Sequence, residues 1–184
     1  MKIIISPAKK LNIEVMPEIG LPAHSCATIQ ILPELHDKIA NRRFQDIGNY
    51  ENNTINPSLK ATWNFLETVL REVSKIFPFS IIHIGVDERP KNAWEGSPKM
   101  IEFMNKNKIN NFDEIQDYFV NRIIKFLKNN NKRTAAWNEA ALPTHNDIGS
   151  SGSAGKVDKN CLIFGWEHPS VSLQSVKKGF ETII

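Results

Sequence analysis

Cysteine is scarce: Cys26 and Cys161 are the only two in 184 residues. They stand far apart with no Cys-x-x-Cys pair, and the five histidines are not grouped at ligand intervals. A disulfide framework, a metal centre and a cofactor are therefore not expected, and both cysteines are read as free thiols. Long apolar runs are also missing. No stretch approaches the roughly 18 residues of a membrane-crossing helix, and Met1 to Asn12 lacks the extended apolar segment of a secretory signal. No membrane partner is expected, and the chain as written is expected to stay in the cytoplasm. Charge of one sign is not in excess either: 23 Lys and Arg are dispersed among 20 acids, for a net charge of +3. Nothing forces a nucleic-acid surface, and no nucleic-acid partner is expected. What remains is a chain with 41% hydrophobic side chains, long enough for one domain with a sizeable core.

The stretch Ile81 to Trp94, IIHIGVDERPKNAW, passes without a break from an apolar run to two adjacent acids. Ile81, Ile82 and Ile84 fit a strand covered on both faces. Gly85 then frees the backbone, Asp87 and Glu88 follow, and Pro90 is expected to stop the strand. Successive strand residues point to opposite faces, so the two acids share a site only where the strand gives way to a loop. That boundary is where α/β proteins place their chemistry. An arbitrary Asp-Glu pair at such a place is most often a solvated turn.

The neighbouring pattern is β/α alternation. Ile13 to Ile19 has strand character, and ILPELHDKI reads as a short helical stretch. A helix is expected from Asn56 and Pro57, with Leu59, Trp63, Leu66, Leu70, Val73 and Phe77 as its apolar stripe. Ser97-Pro98 opens a helix with Met100, Phe103 and Met104. Asn111 with Glu114 resembles a capping box for a longer one faced by Ile115, Phe119, Ile123 and Phe126. Lys125, Lys128 and Lys132 read as last-turn cations. Thr134 to Glu139 and Cys161 to Trp166 read as strands, Pro169 starts a helix that stops near Gly179, and Phe180 to Ile184 is a last strand. Parallel strands joined by crossovers follow from this order.

HIGVDE followed by PKNAWEGSPK resembles the signature of the family 20 glycoside hydrolases, the β-N-acetylhexosaminidases, whose usual form is HIGGDE with a similar PKxxW run. PEIGLPAHS resembles that family's PEIDMPGHS, with Gly20 in place of Asp and Ala23 in place of Gly. WNE at Trp137 to Glu139 resembles WDE, with Asn138 for Asp. Val86 replaces the second Gly beside the acids, and a β-branched side chain restricts that backbone. The likeness runs from about Ala8 to Ile184. It implies an α/β fold, a partial (β/α)8 TIM barrel of roughly strands three to seven, over residues 13–184. Residues 1–12 stay uncertain: MKIIISPAKKLN reads as a strand ended by Pro7 and a helical turn, and also resembles the opening of a peroxide-stress protein family.

The resemblance further implies hydrolysis of terminal β-linked N-acetylglucosamine or N-acetylgalactosamine from glycans, with the substrate's own acetamido oxygen as nucleophile. Glu88 would be the general acid and base, and Asp87 would orient the acetamido group. Trp137 and Trp166 would wall its box, the alternative for both being barrel-core packing. His24 would help organise the sugar site, or be a loop histidine without special duty. His83 reads equally as a core or a site residue, Glu139 lies beside the box, and Trp94 reads as packing. The alternative function is a truncated, inactive remnant with weak sugar binding. Its exposed barrel edges would favour self-association.

Overall fold

The computed structural model describes residues 2–37, 53–143 and 150–184. Arg42 and Arg43, expected to be solvated surface, lie outside the described residues, as do parts of the two polar connections around them and around 144–149.

Five strands form the main sheet: β1 (Glu18–Leu21), β2 (Ile81–Gly85), β4 (Arg133–Trp137), β6 (Leu162–Phe164) and β7 (Thr182–Ile183). They lie side by side in chain order, and every neighbouring pair is parallel. Helices α3 (Lys60–Ile76), α5 (Phe112–Asn129) and α6 (Pro169–Lys177) make the crossovers β1 to β2, β2 to β4 and β6 to β7. Chain-order parallel strands with returning helices are the winding of a (β/α)8 barrel, and these elements form an arc of one. A two-stranded antiparallel ribbon, β3 (Arg89–Pro90) with β5 (Ser150–Ser151), sits beyond the main sheet.

Strand alternation gives the sheet two different faces. Ile82, Ile84, Ala136 and Ile163 join Trp63, Leu66, Leu70, Phe119 and Ile123 in one buried cluster under the helices. A smaller cluster of Ala93, Trp94, Met100 and Ile115 seats helix α4 (Pro98–Asn107). Ser97 caps α4 by accepting from the Met100 N–H, and Asn111 caps α5 by accepting from the Glu114 N–H. Each cap side chain satisfies an amide that the helix leaves unpaired. Both cysteines are free, and burial pushes the Cys161 thiol up to about 12. Among the described residues, no helix is long and apolar enough to cross a membrane.

Several local expectations are corrected. The first residues form helix α1 (Lys2–Lys10) instead of a strand, with Pro7 inside it. Three consecutive isoleucines are too short a run to separate strand from helix, and Ile3 and Ile4 are exposed, with no strand beside them among the described residues. β1 begins at Glu18 instead of Ile13 because Glu18 is opposite His83, so Ile13 would fall opposite Pro78, ahead of β2. The expected helix around Pro33 is split into α2 (Cys26–Ile31) and a 3-10 turn at Pro33–Leu35, since a proline ring clashes inside a helix. Asn56 does not cap α3. Its side chain accepts from the Ser58 amide at 2.9 Å and hydroxyl at 2.6 Å, closing a turn that delays the helix to Lys60. Pro90 takes part in the β3–β5 ribbon, which tolerates a residue without N–H at an edge. Lys132 lies past the end of α5 and donates to the Phe77 and Phe79 carbonyls, both at 2.6 Å.

Candidate active site

Parallel strands bring all their C-terminal ends to one rim, and every predicted site group but His83 lies just past such an end. His24 follows β1, Asp87 and Glu88 follow β2, Glu139 follows β4, and Trp166 follows β6; Trp137 closes β4 itself. That rim is where a (β/α)8 fold assembles its chemistry.

The acid pair sits on a contorted turn. φ is positive at Gly85 (72°), Val86 (79°) and Glu88 (53°). A Cβ on Gly85 would come 2.9 Å from the Gly20 Cα and 3.1 Å from the Leu21 amide nitrogen, so only glycine fits between β2 and β1. The Val86 N–H donates to the Leu21 carbonyl at 2.8 Å, which holds the turn against β1. Positive φ at the two non-glycine residues stores about 1–3 kcal/mol apiece, so the surroundings must impose it. Val86 therefore adopts the backbone that a glycine would take without strain.

This turn points both acids at His24. The His24 Nε2–H donates to Asp87 Oδ2 at 3.0 Å, while Glu88 Oε2 lies 3.7 Å from the same nitrogen, beyond hydrogen-bond reach. The two carboxylates are half-buried and His24 is more open. One imidazole thus fixes Asp87 and leaves Glu88 poised beside it. An oriented acceptor next to a second carboxyl is a pair suited to proton transfer at a bound group.

The inward face of the sheet lies below the rim. His83 is buried, and its ring meets the Trp137 ring edge-on at 4.6 Å and Phe164 at 5.4 Å. Burial lowers its pKa, against the opposing charges of Glu18 and Asp87. The Gly85 N–H donates to His83 Nδ1 at 3.2 Å, so this nitrogen serves as an acceptor and does not donate to Glu18 Oε1, 3.4 Å away. Glu18 instead accepts the Trp137 Nε1–H at 2.9 Å. His83 is buried beneath the rim, and Trp137 beside it is half-buried and tied to Glu18.

Trp166 is 44% exposed, and its Nε1 donates to both oxygens of Glu139. The adjoining pair repeats the link: Asn138 Nδ2 donates to Glu167 at 3.2 Å. Glu139 is 6% exposed, and its carboxyl is pushed up to about 7 by burial, with Asp87 and Glu167 adding to the push and the Trp166 N–H opposing it. The charge of Asp87 is felt at Glu139, which ties this side of the rim to the acid pair. Trp94 is packing: it is buried and donates from Nε1 to the Ile55 carbonyl at 3.1 Å.

Sequence reasoning missed Glu18, Arg89 and Gln116. Arg89 is completely buried, with Nε donating to Gln116 Oε1 at 2.6 Å and Nη2 to Asp113 Oδ1 at 2.8 Å. Its position directly after Glu88 was the available signal.

An arc of parallel α/β barrel, with adjacent carboxylates and indoles gathered at its C-terminal rim, has the architecture of a (β/α)8 catalytic domain. The chain belongs to glycosyl hydrolase family 20: the model of that family's catalytic domain matches residues 1–184, the first dozen included. It is similar to the beta-hexosaminidase of Vibrio furnissii, 35% identical over 182 residues, which are 98% of this chain and 28% of that protein. Beta-hexosaminidase subunit beta of Homo sapiens is 28% identical over 142 residues, 76% of this chain and 25% of the subunit. Among solved structures, the family 20 exo beta-N-acetylglucosaminidase of Vibrio harveyi in complex with N-acetylglucosamine superposes with a TM-score of 0.86. It is 30% identical, and the match covers 98% of this chain and 27% of that one. The chain therefore spans little more than a quarter of the length of these relatives.

Proposed function

We propose that this chain carries the acid–base pair for hydrolysing terminal β-linked N-acetylglucosamine or N-acetylgalactosamine from a glycan. The observation that carries the reading is the His24 contact, which orients Asp87 and leaves the neighbouring Glu88 carboxyl beyond hydrogen-bond reach.

Protonated Glu88 donates its proton to the glycosidic oxygen as the bond from that oxygen to the anomeric carbon breaks. The acetamido carbonyl oxygen of the same sugar bonds to the anomeric carbon from the opposite face, giving a cyclic oxazolinium. Asp87 accepts the acetamido N–H and faces the positive charge that builds there, a contact stronger in the transition state than in the ground state. Water then adds to the anomeric carbon from the face the leaving group vacated, as the bond from that carbon to the acetamido oxygen breaks and the acetamide is restored. The water gives its proton to Glu88, which regenerates the acid, and the anomeric configuration is retained. Folding the acetamide back on its own ring requires an apolar wall, and Trp137 and Trp166 are the indoles on this rim.

A second reading, sugar binding without turnover, is favoured by the half-open Trp166 ring, which suits a stacking platform as well as a closed box. The two are separated by a pair of chromogenic substrates. An aryl N-acetyl-β-glucosaminide should release its chromophore, and the matched aryl β-glucoside, which lacks the acetamide, should not. Equal rates on both would remove the acetamide from the mechanism, and no release from either would leave the binding reading.

A further inference from the structure

We propose that Arg89 is a positioning residue that sets the geometry of Glu88 and Glu139 together, through a buried hydrogen-bond relay on helix α5; this rests on the hydrolytic reading above. The guanidinium donates to Gln116 Oε1, Asp113 Oδ1 and, at 3.3 Å, to the Pro90 carbonyl. It also lies 4.6 Å over the Trp94 ring, whose own N–H is fixed on the Ile55 carbonyl. Gln116 then turns its amide the other way and donates to the Glu139 carbonyl at 3.2 Å. Asp113 and Gln116 are three residues apart on one helix, so a single face presents both. One cation thus links the turn that carries Glu88, the body of α5 and the turn that carries Glu139.

Stability alone is a poor account of this arrangement. Burial lowers the Arg89 pKa to about 10, a sign of the solvation it has given up, and an apolar side chain would fill the same space without that cost. An apolar side chain lacks the directional bonds to α5 and to its own turn, and leaves Gln116 without the donor that orients its amide toward the Glu139 carbonyl. The residue directly ahead of Arg89 is Glu88, whose φ of 53° needs an external restraint, and the fork of the next residue is anchored in the core.

The test compares wild type with Arg89→Lys, Arg89→Met and Asp113→Asn on an aryl N-acetyl-β-glucosaminide, with near-UV circular dichroism giving the folded fraction of each. Asp113 is partly exposed, so its amide variant keeps the fold where the methionine variant fails to. Misplacing a reacting group by an ångström costs on the order of 100-fold, and that loss in kcat per folded molecule is expected for both Arg89 variants, with KM within about 3-fold. Asp113→Asn, which weakens one bond of the fork, should lose about 10-fold in kcat. A kcat that follows only the folded fraction, or that is unchanged in Arg89→Lys and Asp113→Asn, overturns the proposal. Wild-type turnover no greater than that of Glu88→Gln means that the hydrolytic reading has failed instead. The relay is then judged by a crystal structure of Arg89→Lys: relaxation of Glu88 to negative φ supports it, and an unchanged backbone overturns it.

Discussion

The Trp166 indole donates its one hydrogen between the two carboxylate oxygens of Glu139, at 3.1 and 3.3 Å, so an exposed ring is held by a buried acid from the neighbouring strand. The relationship matters because this acid's carboxyl is raised to about 7 from an ordinary 4.5, chiefly by burial.

The raised value fixes a pH dependence of stability. Between pH 4.5 and 7 the folded protein holds on Glu139 a proton that the unfolded chain has released. The associated stabilisation is complete below the unfolded value and is lost as pH rises through the folded one, by on the order of 3 kcal/mol. Glu139→Gln, which keeps an acceptor for the indole, is expected to be more stable than wild type at pH 8 and to lose that advantage at pH 4. Urea unfolding at the two pH values checks this.

Val86 offers a contest between strain and packing. Its side chain is fully buried, and its φ is 79°. Val86→Gly removes roughly 2–3 kcal/mol of buried side chain but relieves about 1–3 kcal/mol of backbone strain. The two oppose each other, so the substitution should leave unfolding free energy between about 1 kcal/mol higher and about 2 kcal/mol lower than wild type. Ile84→Ala, two residues earlier in the ordinary strand, should cost about 2–5 kcal/mol. Denaturant midpoints of the pair make the comparison.

His24 should act through Asp87. Removing the imidazole in His24→Ala deletes a hydrogen bond to a charged group, worth about 1.5–3 kcal/mol, and frees the acid to rotate. A fall in kcat/KM of about 10- to 100-fold is expected on an N-acetyl-β-glucosaminide. Asp87→Ala should then abolish any further effect of the His24 substitution. A double-mutant cycle reads this coupling directly.

Lys132 fastens the connection between α3 and β2. Its ammonium satisfies the two carbonyls of Phe77 and Phe79, and Lys132→Met leaves both without that donor. A loss of about 1–3 kcal/mol is expected in thermal or urea unfolding, with kinetic constants unchanged because the site is at the opposite end of the strand.

Much of this was legible in order of residues. Leu59, Trp63, Leu66 and Leu70 at helical spacing gave α3, and their burial follows from that period. HIGVDE, with its apolar run and freed glycine, placed the acids at a strand end. The misreadings share a physical cause. Where β1 starts depends on the register with β2, and no local propensity encodes that. Arg89 looks solvated in the run DERP because its partners Asp113 and Gln116 come from a helix more than 20 residues later, and only the folded chain brings them together. Glu139 was visible as a motif position, but its raised pKa depends on burial and on Asp87 and Glu167, which other strands supply. Asn56 had the right composition for a cap and closes the preceding turn instead, because its own Ser58 competes for the side chain.

In the proposed mechanism Glu88 exchanges the proton in glycoside cleavage. The measurement that reaches it most directly is chromophore release from an aryl N-acetyl-β-glucosaminide by wild type and by Glu88→Gln, at equal concentrations of folded protein. The wild-type rate should be at least about 100-fold above that of the variant. Equal rates in the two proteins would contradict it.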